Sequence, residues 1–408
     1  MAILKPFKAV RPRKDIAFLV SCPPYDVLSV EDVKKMTTGN PYSFLHVTRP
    51  DALFEGLNDN EELYRIAKKT FDKMLENRVL FQEGAEKLYI YRQIKGDHVQ
   101  SGIVGCFAVD EYQNGKIKKH ELTRKEKEDD RTLHTLILNA NTGLVFLAYH
   151  AEENLKDIIS KICTNQPEYD FIAEDGVRNQ VFVVPNEDAK KIVELFKDID
   201  SLYITDGHHR AAAASRVRDI KREQNPNHTG KEEYNYFLAV AFPHDELKIL
   251  PYNRIVKNTG MSKEIFLEKL QEDFEIEKVE KGFVPDRKHV FGVYTSGEWY
   301  KFFPKFIVDE EEPIESLDVQ ILQKKVMEKI FGIEDPRRDE RIDFIGGVKG
   351  TEELERLVNS KEAEYAFVLY PTSIEELMRI ADSNLIMPPK STWFEPKLRS
   401  GLFVHLLD

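Results

Sequence analysis

The chain has 408 residues, more than one compact core usually organises, so two or three domains are expected. Apolar residues make up 41% and charged residues 32%, which are the proportions of a globular protein. Acidic residues (71) outnumber basic ones (59), and the net charge is -12. This charge argues against a general nucleic-acid or anionic-membrane surface, although a local basic pocket can still bind phosphate.

Cysteine content and hydropathy bear on the cellular location. Cys22, Cys106 and Cys163 are too widely spaced for a disulfide framework or a CxxC site. The first fifteen residues lack an apolar signal core, and no stretch approaches the roughly 20 apolar residues of a membrane span. The sequence therefore predicts a cytoplasmic protein without membrane segments.

Predicted elements alternate between strands and helices along the first part of the chain. Pro23 and Pro24 extend the backbone and place Tyr25 and Asp26 on a turn. Apolar spacing predicts an amphipathic helix over residues 60–81. Strands are predicted in "KLYIYRQI", "SGIVGCFAVDEY", "TGLVFLAYH", "QVFVVP" and "LYIT", with a helix at about 187–197 and an alanine-rich helix at about 208–224.

The second part continues with hairpins and further helices. "YFLAVAFP" and "LKILPYNRIV" are predicted strands, and a domain boundary is placed near residue 258. Helices at 262–273, 315–331 and 373–382 and the strands "HVFGVYTSGEWYKFFP" and "EYAFVLY" follow. The pattern indicates an α+β, or mixed α/β, fold with a core domain at 1–258 and a C-terminal α/β domain at 259–408.

The stretch "YITDGHHRAAAAS" carries the clearest functional signal. Asp206 is a plausible helix N-cap, and Gly207 permits a positive φ or close approach to a ligand. The N-terminus of the helix and the Arg210 guanidinium favour an anion. His208 and His209 point about 100° apart, so they cannot both face one metal. A capped helix whose histidines make only local hydrogen bonds is the open alternative.

Three other stretches are candidates for chemistry. In "HELTRKEKEDDRTLH", one helical face carries Lys127, Asp130, Arg131 and His134, a pattern more typical of a solvated surface. His120 and Glu121 do not begin an HExxH motif, because residue 124 is arginine. Asp26 either presents a carboxylate or merely ends a strand. In "PPKSTWFEPKLRSG", cations and hydroxyls suit phosphate, while the aromatic residues either stack on a base or anchor the tail. No Walker A, GxGxxG or GxSxG motif is present.

Taken together and in order, these motifs resemble the bacterial and archaeal family catalogued as domain of unknown function 1015. The resemblance rests on "PPYDV", "NPYSFLHVTRP", "HELTRKEKEDDRTLH", "ANTGLVFLAY", "DGHHRAAAA", "DPRRDERIDFIGG" and "PPKSTWFEPKLRSGL", and it runs from about residue 6 to residue 406. The family name itself states no activity.

The strand–"DGHHR"–helix unit also resembles the signature turn of the ParB/sulfiredoxin superfamily, which binds nucleotide phosphates there. This resemblance implies a ParB/sulfiredoxin-like core with N-terminal and C-terminal elaborations. Sulfiredoxins carry a cysteine where this chain has His208, so sulfinic-acid repair is not expected. ParB proteins bind CTP and DNA, but no helix-turn-helix is evident here. Free serine kinases have a very similar turn and use an acidic base, for which Asp26, or else Glu31, is the candidate.

The favoured hypothesis is a nucleotide-dependent phosphotransferase acting on serine, phosphoserine or a similar small molecule, with ATP or ADP and Mg²⁺ as cofactors. The alternatives are a non-catalytic ParB-type nucleotide-binding regulator and a metal-dependent phosphoester hydrolase using His120, His134, His208 and His209. The C-terminal tail is a candidate to pack back on one cleft, which is expected to gather the following residues: Asp26, His120, Glu121, Lys127, Arg131, His208, His209 and Arg210. The candidate catalytic residues are Asp26, Glu121, His208 and His209. The candidate cofactor-binding residues are Asp206, Gly207, Arg210, Lys127, Arg131, Lys390, Ser391 and Thr392. The candidate metal ligands are Glu121, Asp130 and Asp206.

Overall fold

The computed structural model describes residues 2–54, 56, 57 and 59–408, which form two compact units. The first unit comprises the chain up to Lys119, then Thr123–Leu247 and Pro396–Asp408. The second unit comprises His120–Leu122 and Lys248–Glu395. The second unit thus begins before the boundary expected near residue 258, and the end of the chain belongs to the first unit.

The strands occur in both units. In chain order they are β1 Leu4–Lys5, β2 Val10–Pro12, β3 Leu80–Gln82, β4 Tyr89–Lys95, β5 His98–Ala108, β6 Ile117–Lys118, β7 Ala140–Asn141, β8 Val145–Tyr149, β9 Tyr169–Ile172, β10 Arg178–Val183, β11 Leu202–Asp206, β12 Tyr236–Pro243, β13 Lys248–Leu250, β14 Tyr252–Val256, β15 Phe274–Val279, β16 Phe291–Thr295, β17 Glu298–Pro304, β18 Ile342–Gly346, β19 Tyr365–Val368, β20 Trp393–Glu395 and β21 His405–Leu406.

The helices also occur in both units. They are α1 Ala17–Val20, α2 Val30–Thr37, α3 Leu45–Thr48, α4 Asn60–Glu76, α5 Val109–Gln113, α6 Lys125–Leu138, α7 Glu153–Ile162, α8 Asn186–Phe196 and α9 His208–Gln224 in the first unit, and α10 Lys263–Asp273, α11 Asp318–Leu322, α12 Gly350–Asn359 and α13 Ile374–Asp382 in the second. None of the helices in the described residues has the length and apolar character that crossing a membrane requires.

A nine-stranded mixed sheet organises the first unit, with the order β6-β11-β8-β12-β5-β4-β10-β9 and with β1 paired to β5. The strands predicted near residues 181, 203 and 237 therefore share one sheet with strands from residues 88–149, as expected. Parallel pairing of β12 with β8 and of β11 with β6, together with antiparallel pairing of the other strands of this sheet, confirms the mixed α/β class. A ParB/sulfiredoxin-like core remains a prediction.

The alanine-rich face of α9 explains how this helix packs on the sheet. Ala211, Ala212 and Ala214 are buried in the same apolar cluster as Leu147 of β8 and Ile204 of β11. Their small side chains let the helix backbone approach the strands closely. The start of α9 is thereby held against the end of β11, as the sequence predicted for residues 202–224.

The second unit has its own six-stranded sheet, in the order β15-β17-β16-β19-β14-β18. Helix α12 packs on it through Leu354, Leu357 and Val358. The helix expected at 315–331 is instead the short α11 followed by a π-helical segment, Gln323–Glu328. In the first unit, α4 ends at Glu76 rather than near 81, because Arg78 adopts a left-handed conformation (φ 56°) and the chain then enters β3.

Candidate functional site

The turn between β11 and α9 is built around Gly207. Gly207 has φ 92° and ψ 30°, a left-handed conformation that glycine adopts at little cost, and it is the N-cap residue of α9. Asp206 is therefore not the N-cap that the sequence suggested. It is the last residue of β11, and its carboxylate accepts a hydrogen bond from Arg210 at 3.2 Å. His208 and His209 are the first two residues of the helix, and His208 is buried.

Arg210 folds back beneath this turn. Its guanidinium donates to the main-chain carbonyl of Leu144 and to Asp206, and its Nε is buried without a hydrogen-bond partner. A Cβ atom on Gly207 would lie 2.9 Å from that Nε, so only glycine leaves room for the guanidinium in this position. The side chain is only 12% exposed. The turn therefore positions Arg210 as a nearly buried cation.

Arg131, on α6, is a second nearly buried cation of the first unit. Its guanidinium stacks on the ring of Tyr25 at 4.2 Å from the ring centroid, which is a cation–π contact. It also donates to the Asp130 carboxylate at 2.8 Å and to the Tyr64 hydroxyl at 3.0 Å. Burial opposes ionisation of Asp130, yet the Arg131 charge and the Tyr64 hydrogen bond hold its pKa below the usual value.

Arg131 and Arg210 line one pocket of the first unit, called the arginine pocket below. Its wall also includes Tyr25, His134, Asn141 and Thr142. The cavity volume is about 30 Å³, room for about two ordered waters or for the tip of a larger ligand. None of the described residues that line the pocket is acidic. Two guanidinium groups without a facing carboxylate make the pocket complementary to a compact anion.

Two neutral groups of the pocket, the Tyr25 hydroxyl and the Asn141 amide, are hydrogen-bond donors. Burial raises the pKa of the Tyr25 phenol to about 12, so the hydroxyl keeps its proton at neutral pH. Asn141 accepts from the Leu238 amide and from His405 through Oδ1, which leaves its Nδ2 donor for the pocket. Asn141 lies in the "ANTG" run between a helix and a strand, and no sequence pattern marked it as a site residue.

His134 is buried beside Arg131 and is neutral. Its Nε2 donates to the main-chain carbonyl of Val47 at 3.1 Å, because a carbonyl can only accept. Burial, together with the nearby Arg131 charge, lowers the pKa of His134 to about 3. The imidazole therefore supplies shape and a lone pair to the pocket rather than a third positive charge.

This histidine makes the stability of the first unit depend on pH. The unfolded chain binds a proton at residue 134 below about pH 6.5, whereas the folded chain binds it only near pH 3. The free energy of unfolding should therefore fall as the pH is lowered from 6.5 towards 4, by up to about 1.4 kcal/mol per pH unit from this group. His134→Gln should remove that part of the slope in urea titrations followed by circular dichroism. An equal loss of slope in His228→Gln would show that the effect is not specific to residue 134.

The predicted polar stripe of α6 is only partly a solvated surface. Lys127, in the first turn of α6, is exposed, whereas Arg131 and His134 are buried. The surface interpretation is therefore wrong for these two residues, because their side chains pack against Tyr25 and Tyr64 from other elements. Asp26 is exposed beside the pocket residue Tyr25, and Glu31 is exposed on α2.

The remaining predicted residues lie in the second unit. His120 is buried there and its carbonyl accepts from the Met387 amide at 2.8 Å; Glu121 follows it. The Lys390 carbonyl accepts from Arg254 at 3.1 Å, and the Ser391 hydroxyl donates to the Pro388 carbonyl at 2.6 Å. Thr392 is half-buried next to β20. These contacts order the "PPKST" loop within its own unit, and its role in ligand binding remains a prediction.

The tail that follows this loop packs on the first unit. The Arg399 guanidinium is buried and donates to the Ser21 hydroxyl and carbonyl at 3.2 and 3.1 Å. Ser400 pairs with Cys22 through main-chain hydrogen bonds and lines the arginine pocket, and His405 of β21 lies opposite Asn141 of β7. The residues from Pro396 onwards thus brace the wall of the pocket.

Comparison with known proteins identifies the family. A family model described as "Protein of unknown function (DUF1015)" matches residues 4–320, well over half of the chain, so the chain belongs to this family. No curated protein matches the chain.

The similar solved structures include a free serine kinase mutant in complex with AMP, at 15% identity over 72% of this chain and 86% of that one, with a TM-score of 0.35. C-terminally truncated SbnI from Staphylococcus aureus has 10% identity over 74% of this chain and 87% of that one, with a TM-score of 0.37. A conserved hypothetical protein from Pyrococcus furiosus has 15% identity over 77% and 97%, with a TM-score of 0.33. Scores and identities this low transfer no activity to this chain.

Proposed function

We propose that this member of the DUF1015 family binds the phosphates of a nucleotide at the pocket between Arg131 and Arg210 and transfers a phosphoryl group to or from a small molecule such as serine or phosphoserine. The observation that carries the proposal is the convergence of two nearly buried guanidinium groups on one pocket that has no acidic residue in its described lining. A buried charge is costly unless an opposite charge accompanies it. Arg131 is paired with Asp130 and Arg210 with Asp206, but neither carboxylate lines the pocket, so each guanidinium group can also face a bound phosphate.

Phosphoryl transfer depends mainly on positioning and on neutralising the charge of the phosphate oxygens. Arg131 and Arg210 would supply the neutralisation, and the Tyr25 hydroxyl and the Asn141 amide would orient the phosphate by donating hydrogen bonds. Transfer to a hydroxyl forms a new P–O bond, breaks the P–O bond to the leaving group and releases the hydroxyl proton. Asp26, next to Tyr25 in the chain, is the candidate base for that proton.

Asp130 and Asp206, the two predicted metal ligands of the first unit, fit a Mg²⁺ site poorly. Asp130 accepts from Tyr64 and Arg131, and Asp206 accepts from Arg210 and has Lys397 at 3.8 Å. Either residue would have to give up an arginine to become a metal ligand, although carboxylates are the ligands that Mg²⁺ prefers. Mg²⁺ is therefore not assigned to these two residues.

A non-catalytic nucleotide-binding regulator is the second candidate. It is favoured by the composition of the pocket, whose described lining contains donors and cations but no carboxylate to act as a base. Such a pocket can hold a phosphate without promoting its transfer. The two functions differ in turnover, not in binding.

The test begins with isothermal titration of the wild-type protein with ATP, ADP, pyrophosphate and inorganic phosphate. Binding of at least one of them is expected, since all present the same compact anion. Phosphorus NMR with serine or phosphoserine present then follows the nucleotide. A new phosphoester or a newly phosphorylated nucleotide supports the transferase; binding without conversion supports the regulator. If none of the four compounds binds, both are wrong.

A further inference from the structure

A second pocket of the first unit shares no lining residue with the arginine pocket. It is a partly open cavity of about 350 Å³, within the range of small-molecule sites. Strands β4 and β5 contribute Arg92 and Ser101, which are directly paired across the two strands. The last turn of α7 and the residues after it contribute Ser160, Cys163 and Thr164, and Glu246 follows β12.

Arg92 is a cation of this pocket that has no carboxylate partner. It forms no ion pair with any described residue, and its Nε is buried without a hydrogen-bond partner. Its guanidinium instead contacts the Cys163 sulfur. Burial raises the pKa of that thiol against the opposing effect of Arg92, so the neutral thiol does not balance the positive charge. The pocket thus leaves a guanidinium available for a carboxylate or a similar anion.

Glu246 is the acidic group of the same pocket. One of its carboxylate oxygens accepts from the Ser101 amide at 2.7 Å, and the residue forms no ion pair with Arg92. The neighbouring Asp245 is already paired with Lys156 at 2.5 Å. Burial and the Asp245 charge raise the pKa of Glu246 against the opposing effects of the Ser101 amide, Lys156 and Arg92, so a further cation beside it would stabilise the ionised form. The C-terminal end of α7 also favours positive charge at this pocket.

We infer that this pocket binds a small zwitterion of the α-amino-acid type, whose carboxylate pairs with Arg92 and whose ammonium group pairs with Glu246. The two charged side chains line one cavity without forming an ion pair with each other, and a ligand that carries both charges can pair with both. The hydroxyls of Ser160 and Thr164 add polar contacts on the α7 side. This inference does not rest on the proposed phosphotransferase activity, because it concerns a pocket with different lining residues and is tested by binding alone.

Cys163 provides a reporter inside the cavity. It is half-buried, whereas Cys22 and Cys106 are 1% and 0% exposed. Iodoacetamide should therefore alkylate Cys163 selectively in the folded protein, and the other two cysteines serve as internal controls for unfolding. A ligand in the pocket should slow the reaction of Cys163, measured by mass spectrometry of the peptides.

The experiment compares glycine, acetate and methylammonium as protecting agents for the full-length protein. Glycine should protect Cys163 at concentrations about tenfold or more below those needed for either single-charge probe, because one charge-assisted contact is lost with each. Equal protection by acetate or by methylammonium would reduce the pocket to a simple ion site and overturn the inference. Absence of protection by glycine would also overturn it.

Two variants assign the charges. Glu246→Gln keeps an acceptor for the Ser101 amide but removes the negative charge, so it should abolish protection by methylammonium and weaken that by glycine while leaving protection by acetate. Arg92→Gln should abolish protection by acetate and weaken that by glycine while leaving protection by methylammonium. Arg178→Gln, on the exposed part of β10, is the matched control and should behave as the wild type. Identical ligand dependence in all four proteins would contradict the assignment, and thermal unfolding verifies that each variant is folded.

Discussion

Arg210→Ala should weaken the binding of the phosphate ligand by about 2–4 kcal/mol, as expected for the loss of a charge-assisted, two-pronged contact. The side chain is 12% exposed and its Nε is buried without a hydrogen-bond partner, so little solvent screens the interaction. Isothermal titration with the tightest-binding compound of the nucleotide and phosphate series measures the change. Arg210→Lys should recover only part of the loss, because an ammonium group keeps the charge but lacks the planar fork.

Arg216→Ala is the matched control for this prediction. Arg216 lies on the same helix and pairs with Asp129 at 2.5 Å, but its side chain is 41% exposed and does not line the pocket. Its removal should leave the affinity within a few-fold of the wild type. If Arg210→Ala and Arg216→Ala bind as tightly as the wild type, the "DGHHR" turn is a structural helix start and the proposed site is wrong.

The contacts of Arg210 also revise what the sequence suggests about folding. An arginine at a solvent-facing helix start would contribute little to stability. The structure instead shows it donating to the Leu144 carbonyl and to Asp206, so alanine leaves both acceptors without this donor. The titration must therefore be accompanied by thermal unfolding, and a folded Arg210→Ala protein that no longer binds is the informative result.

Local signals were sufficient for much of the fold. The apolar run, the Asp–Gly pair and the alanines predicted β11, the turn at Gly207 and α9, because each depends only on neighbouring residues. The same signals wrongly predicted Asp206 as the N-cap. The Asp206 carboxylate instead accepts from Arg210, whose side chain folds back against Gly207, and neighbouring residues alone do not reveal this contact.

Tertiary contacts decided what the sequence could not. Arg131 and His134 looked like part of a solvated stripe, but stacking on Tyr25 and packing against Tyr64 bury them. Likewise, β21 pairs with β7, more than 250 residues earlier in the chain, and this pairing carries the tail back to the first unit. No periodicity marks such a long-range pairing, so the sequence predicted a C-terminal domain from residue 259 and gave the return of its tail only as a candidate.

Arg11→Met should cost about 3–5 kcal/mol of the free energy of unfolding of the first unit, the effect of breaking a buried ion pair. The Arg11 side chain is 4% exposed; it donates to Glu83 at 2.9 Å and to the Tyr169 hydroxyl at 2.6 Å. Methionine fills similar volume among Phe81, Tyr89 and Tyr169, so the loss is chiefly electrostatic. Urea unfolding followed by far-UV circular dichroism measures it.

A double variant and the pH separate this electrostatic cost from simple loss of packing. Arg11→Met with Glu83→Met removes both charges and should recover most of the stability.

The pH dependence of stability gives a second test. In the wild type, burial opposes ionisation of Glu83, but Arg11 and Lys87 hold its pKa below the usual value. The stabilisation from Glu83 is therefore present above about pH 4.3 and is lost as the pH falls through the lowered pKa of the folded state. Without Arg11, the buried carboxylate is stabilised mainly by Lys87 at 3.2 Å, and protonating it relieves the penalty. The difference in stability between wild type and Arg11→Met should therefore narrow between pH 7 and pH 4; a constant difference would assign the loss to packing alone.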